Sequence, residues 1–336
     1  MEIATKLLVA LLPVLAFLGA LIFMDSFKLV RPRGVAVAII AGVGSAILAL
    51  GVNFAIVALL PINQDDLARY VAPVYEEILK ALFLVYLLRT HRVGFMVDGA
   101  IQGFSIGTGF AIVENLLYMQ QMPERHLLVW IVRGFGTAIM HGGTTAIVSV
   151  MAKSLLDRRQ RWSWALFLPG LLVAIVVHSL YNHFPVRPEI ATVLTLLLLS
   201  GLMWVVFQRS EAATRSWLGI GFDSDRELFE MIAAGTLAET RIGRYLASLE
   251  VHFPSAVVAD MLCYLRLHVE LSIRAKGILL MKEAGFKIDP DPEVREKFEE
   301  LRYLEGAIGA TGKLALRPFL HKSSRDLWQM HMLDSQ

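Results

Sequence analysis

The sequence predicts an all-α protein in two parts: a polytopic membrane helix bundle of about seven spans over residues 1–207, and a soluble helical domain over 208–336. Three observations lead there. The 336-residue chain is 56% hydrophobic with a mean hydropathy of +0.57, above the apolar share of a soluble domain. Its apolar residues gather into runs near the roughly 17–25 residues that a spanning helix needs. Charge is uneven as well: residues 1–207 hold 15 Lys/Arg and 11 Asp/Glu, whereas the last 129 residues hold 17 and 19.

The candidate spans run over about 5–24, 36–60, 71–88, 95–119, 127–152, 162–183 and 189–207. The first is too long for a signal-peptide core, and Glu2 offsets Lys6, so it reads as a retained helix. The second is apolar throughout most of its length. Glu76, Glu77 and Lys80 interrupt the third, and Glu114 the fourth. The fifth is over-long and carries Arg133 and His141, while the sixth carries His178 and Asn182. Glycines such as Gly103, Gly107, Gly109, Gly142 and Gly143 suit close helix contact. Asp98 and Arg133 read as rim or snorkelling groups near span ends. The seventh run closes the bundle.

Loop charge orients these spans. Lys28/Arg31/Arg33, Arg89/Arg92 and Lys153/Arg158/Arg159/Arg161 follow spans one, three and five; Arg69, Arg125 and Arg187, each beside an acid, follow two, four and six. Positive loops stay cytoplasmic, which places the N-terminus outside and the tail inside. In that orientation Glu76, Glu77, Glu114 and His178 lie five or six residues from the outer ends of their spans, about 8 Å deep at about 1.5 Å per residue. His141 falls near 10 Å if its buried stretch begins after Arg133, on the same about 1.5 Å rise. Four helices are thus expected to present polar groups at one level.

Charged residues in spans are costly and mark functional sites by default. Glu76 and Lys80, four apart, are expected to share a face as an acid–base pair. Glu76 and Glu77 project about 100° apart and need not share a role. His178 and Asn182, one turn apart, can aim an imidazole and an amide at one point. Taken singly, a buried acid–lysine pair or a membrane histidine is as readily a helix-to-helix contact. The common depth is what argues for a site.

Val74–Lys80 (VYEEILK) resembles the EExxK motif of the PrsW family of intramembrane proteases. Phe110–Asn115 (FAIVEN) is similar to its FxxxEN motif, Arg133 with Met140–Thr145 (MHGGTT) to its histidine helix, and His178–Asn182 (HSLYN) to its HxxxN element. The four motifs occur in order over residues 70–184, and more distantly the pattern resembles the CAAX prenyl protease and bacteriocin-immunity superfamily. The resemblance implies an intramembrane peptidase acting on membrane-anchored protein substrates such as anti-sigma factors, with the lipid bilayer as its surroundings. It implies Glu76 as general base, Glu77 assisting, Glu114 and His141 binding water or a metal, and His178 with Asn182 stabilising the oxyanion. Lys80 would keep the glutamate doublet ionised. Zn2+ on His141, His178 and Glu114 and a metal-free glutamate mechanism both stay open. This chain departs from the wider superfamily in having Glu114 where His is frequent. No HExxH occurs.

The tail reads as helices over about 254–284, 291–304 and 324–332, with Gly285 a stop and Asp291-Pro292 an N-terminal signal. Gly306–Lys313 (GAIGATGK) misses the nucleotide-loop spacing and is expected to be a flexible link. With no basic stripe, the slightly acidic tail gives no sign of nucleic-acid binding. The single Cys263 excludes an intrachain disulfide and suits a reducing compartment. A proton- or ion-coupled transporter would also keep acids and histidines in its spans, but no internal repeat is visible. A catalytically inactive scaffold is the third reading, and the full set of acidic and histidine positions argues against it.

Overall fold

The computed structural model describes residues 2–122, 124–289, 291–320 and 323–334, and no strand occurs among them. By contact, the chain forms two units, Met1–Glu211 and Ala212–Gln336.

In the first unit, α1 (Glu2–Met24) and α2 (Pro32–Leu59) are followed by α3 (Gln64–Asp66), a π-helical turn at Leu67–Val71 and α4 (Ala72–Arg89). After these come α5 (Met96–Gln121), α6 (Leu127–Val132), a second π turn at Arg133–Thr137, α7 (Ala138–Arg159) and α8 (Leu168–His183). The long α9 (Pro188–Ala233) ends the series. Each of the seven apolar runs is helical. Five helical stretches are long and apolar enough to cross a membrane: Ile3–Met24, Pro32–Leu59, Met96–Gln121, Leu127–Arg159 and Pro188–Ala233. The remaining two expected spans correspond to α4, which carries Glu76, Glu77, Lys80 and Arg89, and α8, which has 16 residues. Both contribute to the polar cluster described below.

The centre of this unit is α5, buried continuously from Val97 to Ala111. Small residues let two neighbours approach its backbone. A Cβ on Gly42 of α2 would stand 1.9 Å from the Ile106 carbonyl oxygen, and one on Gly107 would stand 2.2 Å from that of His141 on α7. Side-chain volume cannot be added at either contact without parting the helices. Ala38, Leu84, Ile106, Val148 and Ala174 join α2, α4, α5, α7 and α8 in one apolar core. A smaller cluster sets Ala46 and Ala49 of α2 against Phe110, with Tyr75, Leu79 and Val113 around it.

The second unit contains the last part of α9 together with α10 (Arg241–Leu249), α11 (Ser255–Glu283), α12 (Pro292–Leu316) and α13 (Ser324–Asp334). The change in composition near residue 208 lies within uninterrupted helix, since α9 runs from Pro188 to Ala233. Gly285 (φ 84°) follows the end of α11, and Asp291 caps α12 by accepting from the Glu293 N–H. The link expected over 306–313 shrinks to a kink at one residue, with helix on both sides of it. Ile308 and Gly312 are buried there, and the break falls at Gly309 (φ 67°, ψ −178°), a conformation that glycine adopts readily. A buried polar network joins three helices of this unit: the Lys276 Nζ and the Ser272 hydroxyl both donate to Asp225 at 2.5 Å, and the Gln329 amide donates to Ser272 at 2.8 Å.

Candidate active site

Side chains from α4, α5, α7 and α8 meet in one cluster. Glu77 of α4 is fully buried, and one of its oxygens, Oε1, accepts from three directions. The Lys80 ammonium donates at 2.6 Å, the Thr144 hydroxyl of α7 lies at 3.1 Å, and His178 Nδ1 of α8 lies at 2.8 Å. An ammonium at this distance together with two further donors is an environment for the carboxylate anion. Helical spacing favoured Glu76 as the partner of Lys80; the structure pairs Lys80 with Glu77 at i,i+3 instead. Both separations lie on one helical face, so packing decides. His178 and Thr144 occupy the Glu77 side and join Lys80 on Oε1, while Glu77 Oε2 is buried without a hydrogen-bond partner among the described residues, and Glu76 is turned outwards.

The side chain of Glu76 is 18% exposed, and its ion-pair partner within 4 Å among the described residues is His178 Nε2 at 3.8 Å. It lines a cavity of about 370 Å³ together with Glu114, His178 and Asn182. Glu114 meets His141 Nε2 at 2.8 Å and Arg133 Nη2 at 3.3 Å. Arg133 also donates from Nε to Asn115 at 2.9 Å and lies 3.7 Å from the Tyr118 ring centroid. Asn115 in turn donates to the Ala10 carbonyl at 2.9 Å, which ties the assembly to α1. Arg133, read from sequence as a rim group, is therefore the counter-ion of a site carboxylate. Its clue was a lone guanidinium one span away from an unpaired glutamate.

The hydrogen bonds define the imidazole tautomers. Lys80 lies 3.3 Å from His141 Nδ1 and can only donate, so Nδ1 accepts and Nε2–H donates to Glu114. A carboxylate can only accept, so His178 Nδ1–H donates to Glu77 and its Nε2 faces the cavity side. The two rings meet edge-on with centroids 4.7 Å apart.

Both π turns abut the site. The first, Leu67–Val71, leaves carbonyls that α8 captures: the Ser179 hydroxyl donates to Arg69 at 2.6 Å and the Asn182 amide to Ala68 at 2.8 Å. One Asn182 N–H, expected to point with His178 at a single spot, is thus already used in anchoring α8. The second begins at Arg133, and Gly136 within it packs so closely that a Cβ would stand 2.0 Å from the Tyr181 hydroxyl. Wide turns of this kind are frequent at functional sites. Apart from Gly134 and Gly136, nothing in the sequence announced them. Thr144 is likewise a site residue that sequence reasoning missed, although it lies three positions beyond His141 on the same helix.

One oxygen or nitrogen from each of Glu76, His141 and His178 lies within 4.8 Å of the others. This trio carries Glu76 where the resemblance implied Glu114. Its donor set, two imidazoles and a carboxylate, suits Zn2+ with one position left open. The hydrogen bond from His178 Nδ1 to Glu77 is the carboxylate–histidine support that ligating histidines use. His141 would have to release one of its two ring contacts to coordinate. The residues present therefore fit a metal.

Fold and site together define a helical membrane protein with a buried carboxylate–imidazole centre opening on a cavity. Residues 31–208, over half of the chain, match the PrsW family intramembrane metalloprotease, and the chain belongs to that family. Neither a curated protein nor a solved structure matches it.

Proposed function

We propose that the chain is an endopeptidase cutting membrane-anchored proteins at a site recessed towards the outer leaflet, with the N-terminus outside and the C-terminal domain cytoplasmic. The observation that carries this reading is the convergence of Glu76, Glu77, Glu114, His141 and His178 in one cluster, of which Glu76, Glu114 and His178 line the cavity. Family membership makes peptide hydrolysis the chemistry. The loop charges supply the orientation, and the resemblance makes an anti-sigma factor the first kind of target to examine.

In this mechanism Glu76 is the general base, because it faces the cavity and is not committed to a close cation. It takes a proton from water as the oxygen adds to the scissile carbonyl. The same proton then passes to the leaving amide nitrogen as the C–N bond breaks. Glu77 holds His178 and Lys80 in place, while Arg133 and Glu114 hold His141. The second N–H of Asn182 is a candidate oxyanion donor, and His178 Nε2 joins it only when the ring carries both protons, since Nδ1–H is held by Glu77. In the alternative with a metal, Zn2+ held by His141, His178 and Glu76 would supply Lewis-acid polarisation of the carbonyl and of water, and Glu76 would then serve as a ligand rather than as the free base.

Comparative proteomics of membrane-protein fragments in cells tests the reading, with wild type set against Glu76→Gln and His178→Ala at equal protein levels. Fragments absent from both variants establish the peptidase and identify its substrate. Identical fragment maps under inducing and resting conditions overturn it.

A further inference from the structure

We infer that Asn53 is the substrate-backbone anchor of this site, hydrogen-bonding a peptide amide of the bound chain; the inference rests on the peptidase reading above. Ala46, Ala49, Asn53 and Val57 follow helical spacing on α2 and all line the cavity. Ala46 and Ala49 pack against Phe110. Asn53 is the next step along this face, and it shares the cavity with Glu76, Glu114 and His178. No other part of α2 supplies a polar group there. The second uncharged polar residue of the helix, Ser45, is within hydrogen-bond reach of the Ala41 and Leu79 carbonyls and is satisfied. Asn53 Oδ1 is buried and accepts from nothing among the described residues.

An amide with an idle acceptor in a strongly apolar helix is costly, and in a membrane such a residue is a functional candidate by default. The cavity selects the class of ligand. No lysine or arginine lines it and two glutamates do, which disfavours an anionic headgroup. A carboxamide offers one acceptor and two donors, complementary to the N–H and C=O of a peptide bond. The flanking wall of Leu50, Phe54 and Val57 is apolar, as substrate side chains leaving a bilayer require. Asn53 would therefore fix the register of the substrate against Glu76 without itself taking part in proton transfer.

The test uses full-length protein in phosphatidylcholine nanodiscs and a library of single-span peptides randomised next to the outer membrane boundary, with products read by mass spectrometry. Asn53→Leu should lower kcat/KM about tenfold or more, the scale of one lost buried hydrogen bond to substrate, and Asn53→Gln should recover part of the loss. The residual cleavage should still disappear with Glu76→Gln. An ester scan of the cleaved peptide then separates contact from mere packing. One amide-to-ester replacement should slow the wild type and cost nothing further in Asn53→Leu. Wild-type rates in Asn53→Leu, or the same ester profile in both proteins, overturn the role of Asn53 alone. Absence of cleavage by the wild type, or cleavage that survives Glu76→Gln, overturns the peptidase reading and this inference with it.

Discussion

Glu77 receives three donors on one oxygen, whereas its neighbour Glu76 has no ion-pair partner nearer than 3.8 Å among the described residues. The two should fail in opposite ways. Glu77→Ala leaves the Lys80 ammonium buried without its anion, at a cost of about 3–5 kcal/mol. Thermal unfolding in detergent should show that loss together with lost cleavage. Glu76→Gln should abolish cleavage while unfolding at the wild-type temperature or above it, because the substitution removes a charge that the fold does not use. The metal-compatible trio sets a further expectation: chelation with 1,10-phenanthroline should stop peptide cleavage, and added Zn2+ should restore it. The identities of these residues were legible in the sequence, because carboxylates and imidazoles stand out in apolar runs. Their pairing was not. Spacing leaves i+3 and i+4 partners equivalent for Lys80, and only the arrival of Thr144 and His178 beside Glu77 distinguishes them.

Helix-to-helix distance is governed by residues without side chains. Gly42 and Gly44 stand two positions apart on α2, yet a Cβ at 42 would strike the Ile106 carbonyl at 1.9 Å, while one at 44 meets nothing within 4 Å. Gly42→Ala should cost about 1–3 kcal/mol or more, since rigid backbone cannot rotate away. Gly44→Ala should be neutral or stabilising by a few tenths to about 1 kcal/mol. Paired unfolding midpoints check both. At this scale the sequence was informative about which segments are helical and misleading about where helix stops. The glycines of GAIGATGK suggested a link, but burial of Ile308 and Gly312 keeps α12 helical and confines the interruption to Gly309. The π turns escaped because one extra residue per turn leaves hydrophobic periodicity almost unchanged over five residues.

For the whole molecule, composition changes near residue 208 and the contact units divide at Glu211/Ala212, while the continuity of α9 through both points was not legible in the sequence. Convergence of the polar residues was legible as a common depth, and the cavity beside them was not, since it depends on where α2 stops packing against α5. The close glycine contacts of α5 have a genetic consequence. The residues that line the cavity form a short list, and some, such as Leu50 and Val57, should accept apolar replacements. Gly42, Gly103, Gly107 and Gly109 accept none, because each already faces another helix's backbone. Saturation mutagenesis with a growth-linked reporter of cleavage should therefore return its densest null alleles along this glycine seam, at positions outside the cavity wall. A map of missense tolerance would trace the axis of the bundle before it outlined the catalytic centre.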